Sequence, residues 1–369
     1  MSFDALALAQ LGFEVDLLTM PFGEEKHIRG VRIIRIPNML LVRTIPIGPS
    51  FSKAFFDVLL LVKAVWLSLR NHYDFIHGIE EAGALGIFIA KLSGAKLVFE
   101  KHSDPSSYRR GKLRNAVMYI YGKIEAFTIR HADSVIGTGP GLVAQAKSIC
   151  SNKRIYHIFD IPSSLAEINS ERVTALRQKL KKQSEEILIT YVGSFAVYQG
   201  IDIMFEAIPY VCKRHAIARF IIIGGAPSEI AERTIWLKEH GSDSKVSFIG
   251  KVPPDELPDY LAASDILLSP RISGINTPLK LLDYLKAGRA IVATDNTANR
   301  QILDESCAIL VKANPEAFAE GIYHLIHESE LRQKLGERGK RLIQGKYNFD
   351  EFKKRLNQCY RDLENHRLH

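Results

Sequence analysis

Residues 265–295 read DILLSPRISGINTPLKLLDYLKAGRAIVATD. The run DILLSP is a buried strand, and the loop RISGINT delivers Pro278 to the first turn of a helix, where a missing N–H costs nothing. AIVATD is a second strand. Strand, helix and strand at this spacing form a βαβ unit, which calls for a parallel sheet.

The same alternation extends in both directions. FEVDLLTM, DFIHGI, KLVFEKH, SVIGTG and RIYHIF are strand-like in the first half, and ILITYVGS, ARFIIIGG, VSFIGKV and CAILV in the second, with helical patterns between them. The series breaks once, at residues 161–186, where Pro and Ser precede a charged helix suited to an interdomain connection. The expectation is an α/β chain of two Rossmann-like doubly wound domains, residues 1–163 and 164–348, facing a cleft, followed by an amphipathic C-terminal helix at 349–369. The first domain is expected to lack its opening strand and Gly-rich loop, because the sequence starts in a helix, Phe3 to Leu11, with GFEVDLLTM as the next strand.

A length of 369 residues fits two domains, and 46% hydrophobic with 24% charged residues fits a globular protein. The most apolar run, Ala54 to Leu69, is shorter than the ~20 residues that span a bilayer and is interrupted by Asp57 and Lys63; it reads as a helix against a sheet. No secretory signal is visible, so the cytoplasm is the expected compartment. Four widely spaced cysteines suggest neither a zinc site nor a disulfide framework. The excess of 49 basic over 41 acidic residues fits an anionic partner. Arg109, Arg110, Lys112 and Arg114, before the apolar AVMYIY, read either as a solvated loop or as a patch for an anionic membrane surface. No nucleic-acid motif accompanies the charge.

The chemistry concentrates at strand exits. Gly193 and Gly200 flank one exit in ITYVGSFAVYQGID, and Gly224 follows another in FIIIGG; glycines there let backbone approach a ligand. At the third, the free N–H groups and positive dipole end of the helix after Pro278 favour a phosphate, and Lys280 adds a full charge. Asp283, about one turn on, is placed to accept from sugar hydroxyls. A sugar joined to phosphates suits this pattern. In the first half, VFEKHSD puts His102 at a strand exit, and FIHGIEEAG puts His77, Glu80 and Glu81 at a neighbouring one; the acids also suit a helix N-terminus.

YVGSFAVYQGID, FIIIGG, VSFIGKVPPDELPDYLAASDILLSP and NTPLKLLDYLKAGRAIVATD, in this order and spacing, resemble the carboxyl-terminal half of family 4 glycosyltransferases, retaining sugar transferases of the GT-B fold. The likeness covers nearly the whole chain. It implies that the second domain binds a nucleoside diphosphate sugar, with Asp283 at the ribose position, Asn276, Thr277, Pro278 and Lys280 around the diphosphate, and Gly193, Ser194, Gln199 and Gly224 completing the donor site. It implies no obligatory metal and no cofactor beyond the donor substrate. His102 stands where family members often have a His near the reacting sugar, and His77, Glu80 and Glu81 become acceptor-side candidates. Three positions depart from the pattern: Ile275 replaces an acid, Ser194 an Arg and Gln199 a Lys, and Lys280 with Arg271 is expected to restore part of the lost charge. The expected activity is retaining sugar transfer to a glycan or lipid-linked acceptor hydroxyl, with His102, Lys280 and Arg271 carrying catalysis. A weak or inactive nucleotide-sugar-binding homologue and a GT-B epimerase are the alternatives.

Overall fold

The computed structural model describes residues 2–23, 27–39, 51–104, 112–274 and 276–365. The chain forms two compact units, Met1–Phe159 with Phe349–His369, and Asp160–Asn348.

The first unit runs α1 (Ser2–Gln10), β1 (Val15–Thr19), β2 (Val31–Arg35), α2 (Phe51–Arg70), β3 (Phe75–Ile79), α3 (Ala82–Ser93), β4 (Lys96–Lys101), α4 (Lys112–His131), β5 (Ser134–Gly137), α5 (Pro140–Ile149) and β6 (Arg154–His157). β3-β4-β5-β6 is a parallel four-stranded sheet. Among the described residues β1 pairs only with β2, in a separate two-stranded sheet. The β2 run VRIIR was not expected as a strand. Its arginines flank a short apolar core, and what holds it is parallel pairing with β1 and an ion pair from Arg32 to Asp16.

Period-two alternation sorts β4. Leu97 and Phe99 join Ile87 and Ala90 of α3, Ile129 of α4, Val135 and Ala146 in one core. Gly83 and Gly86 let α3 lie close: a Cβ at Gly83 would meet the Phe99 ring at 2.3 Å. Glu100, between Phe99 and Lys101 in sequence, is directed the other way. On that side α13 (Phe349–Glu364) packs beside α1. Tyr360 of α13 stacks edge-on against Phe75 at 5.0 Å and lies 5.3 Å from Phe13, so the terminal helix belongs to the first unit rather than standing as a separate segment.

The run expected to form a helix against a sheet does form α2, but it buries little of its apolar surface. Phe56 and Leu67, three turns apart, are its buried large residues, whereas Val58, Val62 and Leu69 are exposed. The periodicity that makes the helix also leaves a second apolar stripe outside.

The second unit runs α6 (Ser170–Leu180), β7 (Ile187–Val192), α7 (Ile201–Arg214), β8 (Ala218–Ile223), α8 (Pro227–Glu239), β9 (Val246–Gly250), α9 (Leu257–Ala263), β10 (Ile266–Ser269), α10 (Lys280–Ala287), β11 (Ala290–Thr294), β12 (Ile309–Val311), α11 (Pro315–His327) and α12 (Ser329–Gly345). Its parallel sheet has the order β12-β11-β10-β7-β8-β9. Ile189, Tyr191, Phe220, Ile222 and Leu268 face one helix layer, and Leu188, Ile221 and Ile223 face the other. With both sheet faces covered, the strands read as continuous apolar runs. Burial of each such side chain contributes roughly 1.5 to 3 kcal/mol. The chain winds outward in both directions from the β7–β10 pair. That pair is the switch point, where an open parallel sheet forms a crevice beyond its carboxyl ends.

Candidate functional site

Both strands at the switch point end in the loops that the sequence singled out. β7 leads to Gly193 and the 3-10 turn Val197–Gln199; β10 leads to Pro270, Arg271 and the mouth of α10. Three glycines draw these loops together. Gly200 has φ +67°, and a Cβ there would lie 1.8 Å from the Pro270 carbonyl oxygen; at Gly224, φ +115°, a Cβ would lie 2.1 Å from the Gly193 oxygen. At Gly193, φ +150°, it would lie 2.6 Å from the Tyr191 hydroxyl. Only glycine fits the left-handed backbone and the contact at Gly200 and Gly224.

Lys280 is the centre of the resulting corner. Its Nζ donates to Gln199 Oε1 at 2.9 Å and lies 4.4 Å from the centroid of the Tyr191 ring. Burial, with a smaller contribution from the Arg271 charge, pulls its pKa down to about 7. A half-buried ammonium beside a second cation is stabilised by an anion. Arg271 is buried, donates through Nε to the Ser273 carbonyl at 2.8 Å and lies 5.5 Å from the Tyr198 ring. Beneath this loop, Asn296 Nδ2 donates to the Arg271 carbonyl, and Asn299 Nδ2 donates to the Thr294 carbonyl at 2.8 Å.

At the helix mouth the proline sits differently from the expectation. α10 begins at Lys280, and Pro278 precedes it, its carbonyl accepting from Leu281 N at 2.9 Å. The entry is thus a three-residue turn that tightens into the helix. Thr277 Oγ1 donates to Gln301 Oε1 at 3.0 Å. Among the described residues the buried Asn276 Oδ1 atom has no hydrogen-bond partner. Asp283, half-buried in the first turn, accepts from Ser163 N at 2.7 Å through Oδ1. Burial pushes its carboxyl up to about 6, against the opposing bonds from Ser163. One carboxylate oxygen of Asp283 is thus held by backbone. Ser194 is exposed, and its carbonyl accepts from the Tyr191 hydroxyl at 2.9 Å. The second unit therefore brings Gly193, Gln199, Gly224, Arg271 and Lys280 together, with Asp283 a turn further along α10. Ile275 lies outside the described residues.

The first unit holds a second polar cluster. Glu100, buried on β4, receives His77 Nε2 at 2.7 Å on one carboxylate oxygen and His102 Nε2 at 2.8 Å on the other. His77 Nδ1 lies 2.8 Å from the Tyr360 hydroxyl. Burial raises the Glu100 pKa, but the bonds from His102 and His77 outweigh it and hold the carboxyl well below the usual range. Glu80 turns the strand exit. It carries φ +53°, and its carboxylate accepts from His102 N at 2.8 Å and Ser103 Oγ at 3.1 Å. A non-glycine residue in that conformation costs of order 1 kcal/mol or more, and the carboxylate bonds hold it there. Glu81 does not join the cluster: it forms an ion pair with Lys53 of α2. That ion pair links α2 to the start of α3.

Two residues escaped the sequence reading. Glu100 stands two positions before His102 on the same strand face, and Tyr191 two positions before Gly193 on β7. Period-two alternation carried both signals. Among the described residues no group of three or more His, Cys, Asp and Glu is arranged to hold a metal ion, and all four cysteines are free. Arg109 and Arg110 of the basic run lie outside the described residues.

Residues 5–158 match the family described as Glycosyltransferase Family 4, and residues 186–328 the family described as Glycosyl transferases group 1. The alpha-monoglucosyldiacylglycerol synthase of Acholeplasma laidlawii is 26% identical over 89% of this chain and 83% of its own. Sucrose-phosphate synthase from Thermosynechococcus elongatus is similar in structure, with a TM-score of 0.78, 19% identity, and coverage of 98% of this chain and 92% of that one. Anabaena HepE, in complex with UDP and glucose, gives a TM-score of 0.74 at 13% identity, covering 97% of this chain and 94% of the other.

Proposed function

This chain belongs to the group 1, family 4 glycosyltransferases of the GT-B fold, and from that premise we propose that it moves a sugar, with retention, from a nucleoside diphosphate to the hydroxyl of a glycan or lipid-linked acceptor. The observation that carries the donor assignment is the corner at the β7–β10 switch point: half-buried Lys280 with Arg271 near it, at the mouth of α10. The diphosphate takes the helix N–H groups and Lys280, and Gly193 admits its backbone contact. Asp283 offers Oδ2 to the ribose hydroxyls while Oδ1 stays with Ser163.

Catalysis in this reading is positional and electrostatic. As the glycosidic bond to phosphate breaks, negative charge grows on the leaving diphosphate, and fixed donors at Lys280, Arg271 and the helix mouth stabilise it without reorganising. No side-chain nucleophile, metal or cofactor is assigned. His102 hydrogen-bonds the reacting sugar or orients the acceptor hydroxyl, with its ring held by the Nε2 contact to Glu100. His77 and Glu80 support the same cluster. The Acholeplasma relative, by its name, makes a monoglucosyldiacylglycerol, and the HepE complex contains UDP and glucose; both support this choice of donor and acceptor class.

The test is a thermal-shift and calorimetry panel of nucleoside diphosphate sugars on the wild-type protein and Lys280→Ala. One donor should raise the melting temperature of the wild type and lose ~1.5 to 3 kcal/mol of affinity in the variant, the range for hydrogen bonds to charged groups. Equal affinity for both proteins would remove Lys280 from the site.

A further inference from the structure

We propose that the outer face formed by α2, α3 and α4 of the first unit docks on an anionic phospholipid bilayer. The proposal goes beyond the donor-site reading and does not depend on it.

The helices form one layer, with α3 packed between α2 and α4. On α2, Phe55, Val58, Val62, Trp66 and Leu69 recur at steps of three and four and are all exposed, with Leu69 at 70%. α3 adds Phe88 and Leu92, and α4 adds Tyr119, Ile120, Ile124 and Phe127. Each stripe lies away from its helix's buried residues, such as Phe56, Ala90 and Ile129. Eleven of the 19 exposed large hydrophobic side chains among the described residues fall on these three helices, so they form a face rather than a scatter. Globular surfaces rarely carry contiguous apolar area of this kind without a partner.

Charge selects the partner. The three helices contain eight Lys or Arg against Asp57 and Glu125, a net +6 out of the chain's +8. Neither acid opposes an anionic surface. Glu125 is paired with the buried Lys101, and Asp57 lies half-buried near Lys53, on the opposite flank of α2 from the stripe. Lys63 and Arg70 lie over the Trp66 ring at 3.9 and 4.3 Å, and Lys123 over Tyr119 at 5.3 Å. Aromatic rings edged by cations suit the boundary between lipid headgroups and chains, where each part meets its own solvent. No helix among the described residues is long and apolar enough to cross a membrane, and a face-on arrangement needs none: such helices lie in the interface, held by apolar burial and by attraction to anionic headgroups. Lys112 and Arg114, at the start of α4, are two of these eight charges and not the whole docking element.

The experiment is co-sedimentation with vesicles of equal parts phosphatidylglycerol and phosphatidylcholine, and with phosphatidylcholine alone. The proteins are wild type, Val62→Glu with Ile120→Glu, and a control, Ile235→Glu, on an exposed apolar position of α8. Wild type and control should sediment with the anionic vesicles and release as salt rises. The double variant should bind about tenfold less or weaker, as expected for removing two apolar contacts and adding two like charges. Its circular dichroism should be unchanged, because both positions are exposed. Equal binding by wild type and double variant would overturn the proposal, as would equal wild-type binding to neutral vesicles. A concentration-dependent dimer dispersed by Val62→Glu would also overturn it and assign the face to a second copy.

Discussion

Raising the pH should weaken donor binding through Lys280 alone. In the free protein its pKa is about 7 because burial, aided by Arg271, disfavours the ammonium. A diphosphate at the helix mouth favours the charged form, so the bound protein holds the proton to a higher pH. The sign follows: below pH 7 the lysine is already charged and affinity is flat, whereas above pH 7 binding must take up a proton. Each pH unit then costs about 1.4 kcal/mol, or close to tenfold in affinity. Between pH 7 and 9 the loss should be about 50-fold, because half of the lysine is already neutral at pH 7. Asp283 titrates near 6, so its contribution belongs to a lower window. The assay is calorimetry with a nucleoside diphosphate sugar, whose esterified phosphates do not titrate here, in buffers of contrasting ionisation heat. Proton uptake should approach one per site near pH 8, and Lys280→Arg, always charged, should abolish both uptake and slope. Flat affinity from pH 7 to 9 with no buffer dependence would refute the reasoning.

Asp283→Asn should weaken nucleotide binding by ~1.5 to 3 kcal/mol with little change in melting temperature, since an amide oxygen can still accept from Ser163 N; a large loss of stability with binding intact would make the acid structural. Glu100→Gln should cost ~3 kcal/mol or more in urea unfolding, because a buried charge partner is removed from two histidines, and should lower kcat more than donor affinity. In the wild type the Glu100 carboxyl is depressed, so its stabilisation is present above the ordinary carboxylate pKa and is lost as pH falls below it. Gly200→Ala should destabilise by ~2 kcal/mol or more, since φ is +67° and the added carbon would strike Pro270 O; a neutral effect would show that the loop yields freely.

The parallel sheets were legible because β-branched runs such as ILIT and FIII are buried on both faces and punctuated by glycine. β2 was not, since among the described residues VRIIR pairs only with β1 and its arginines mask the apolar pattern. The donor corner could be read because Gly193, Gly200, Lys280 and Asp283 lie at strand exits or a helix mouth, where local sequence dictates position. The Glu100 cluster could not: its histidines come from β3 and the end of β4 and its tyrosine from α13, and only the tertiary fold joins residues 283 positions apart. The outward stripe of α2 was hidden for a related reason. Helical periodicity reports how many apolar faces a helix has, whereas the neighbouring elements decide which of them is covered.

A crystal structure of the protein with the nucleoside diphosphate that stabilises it most tests the central claim directly. The diphosphate should lie at the mouth of α10, within hydrogen-bond reach of Lys280 Nζ, with the ribose hydroxyls at Asp283. A diphosphate bound away from the β7–β10 switch point, with Lys280 still turned to Gln199, would contradict it.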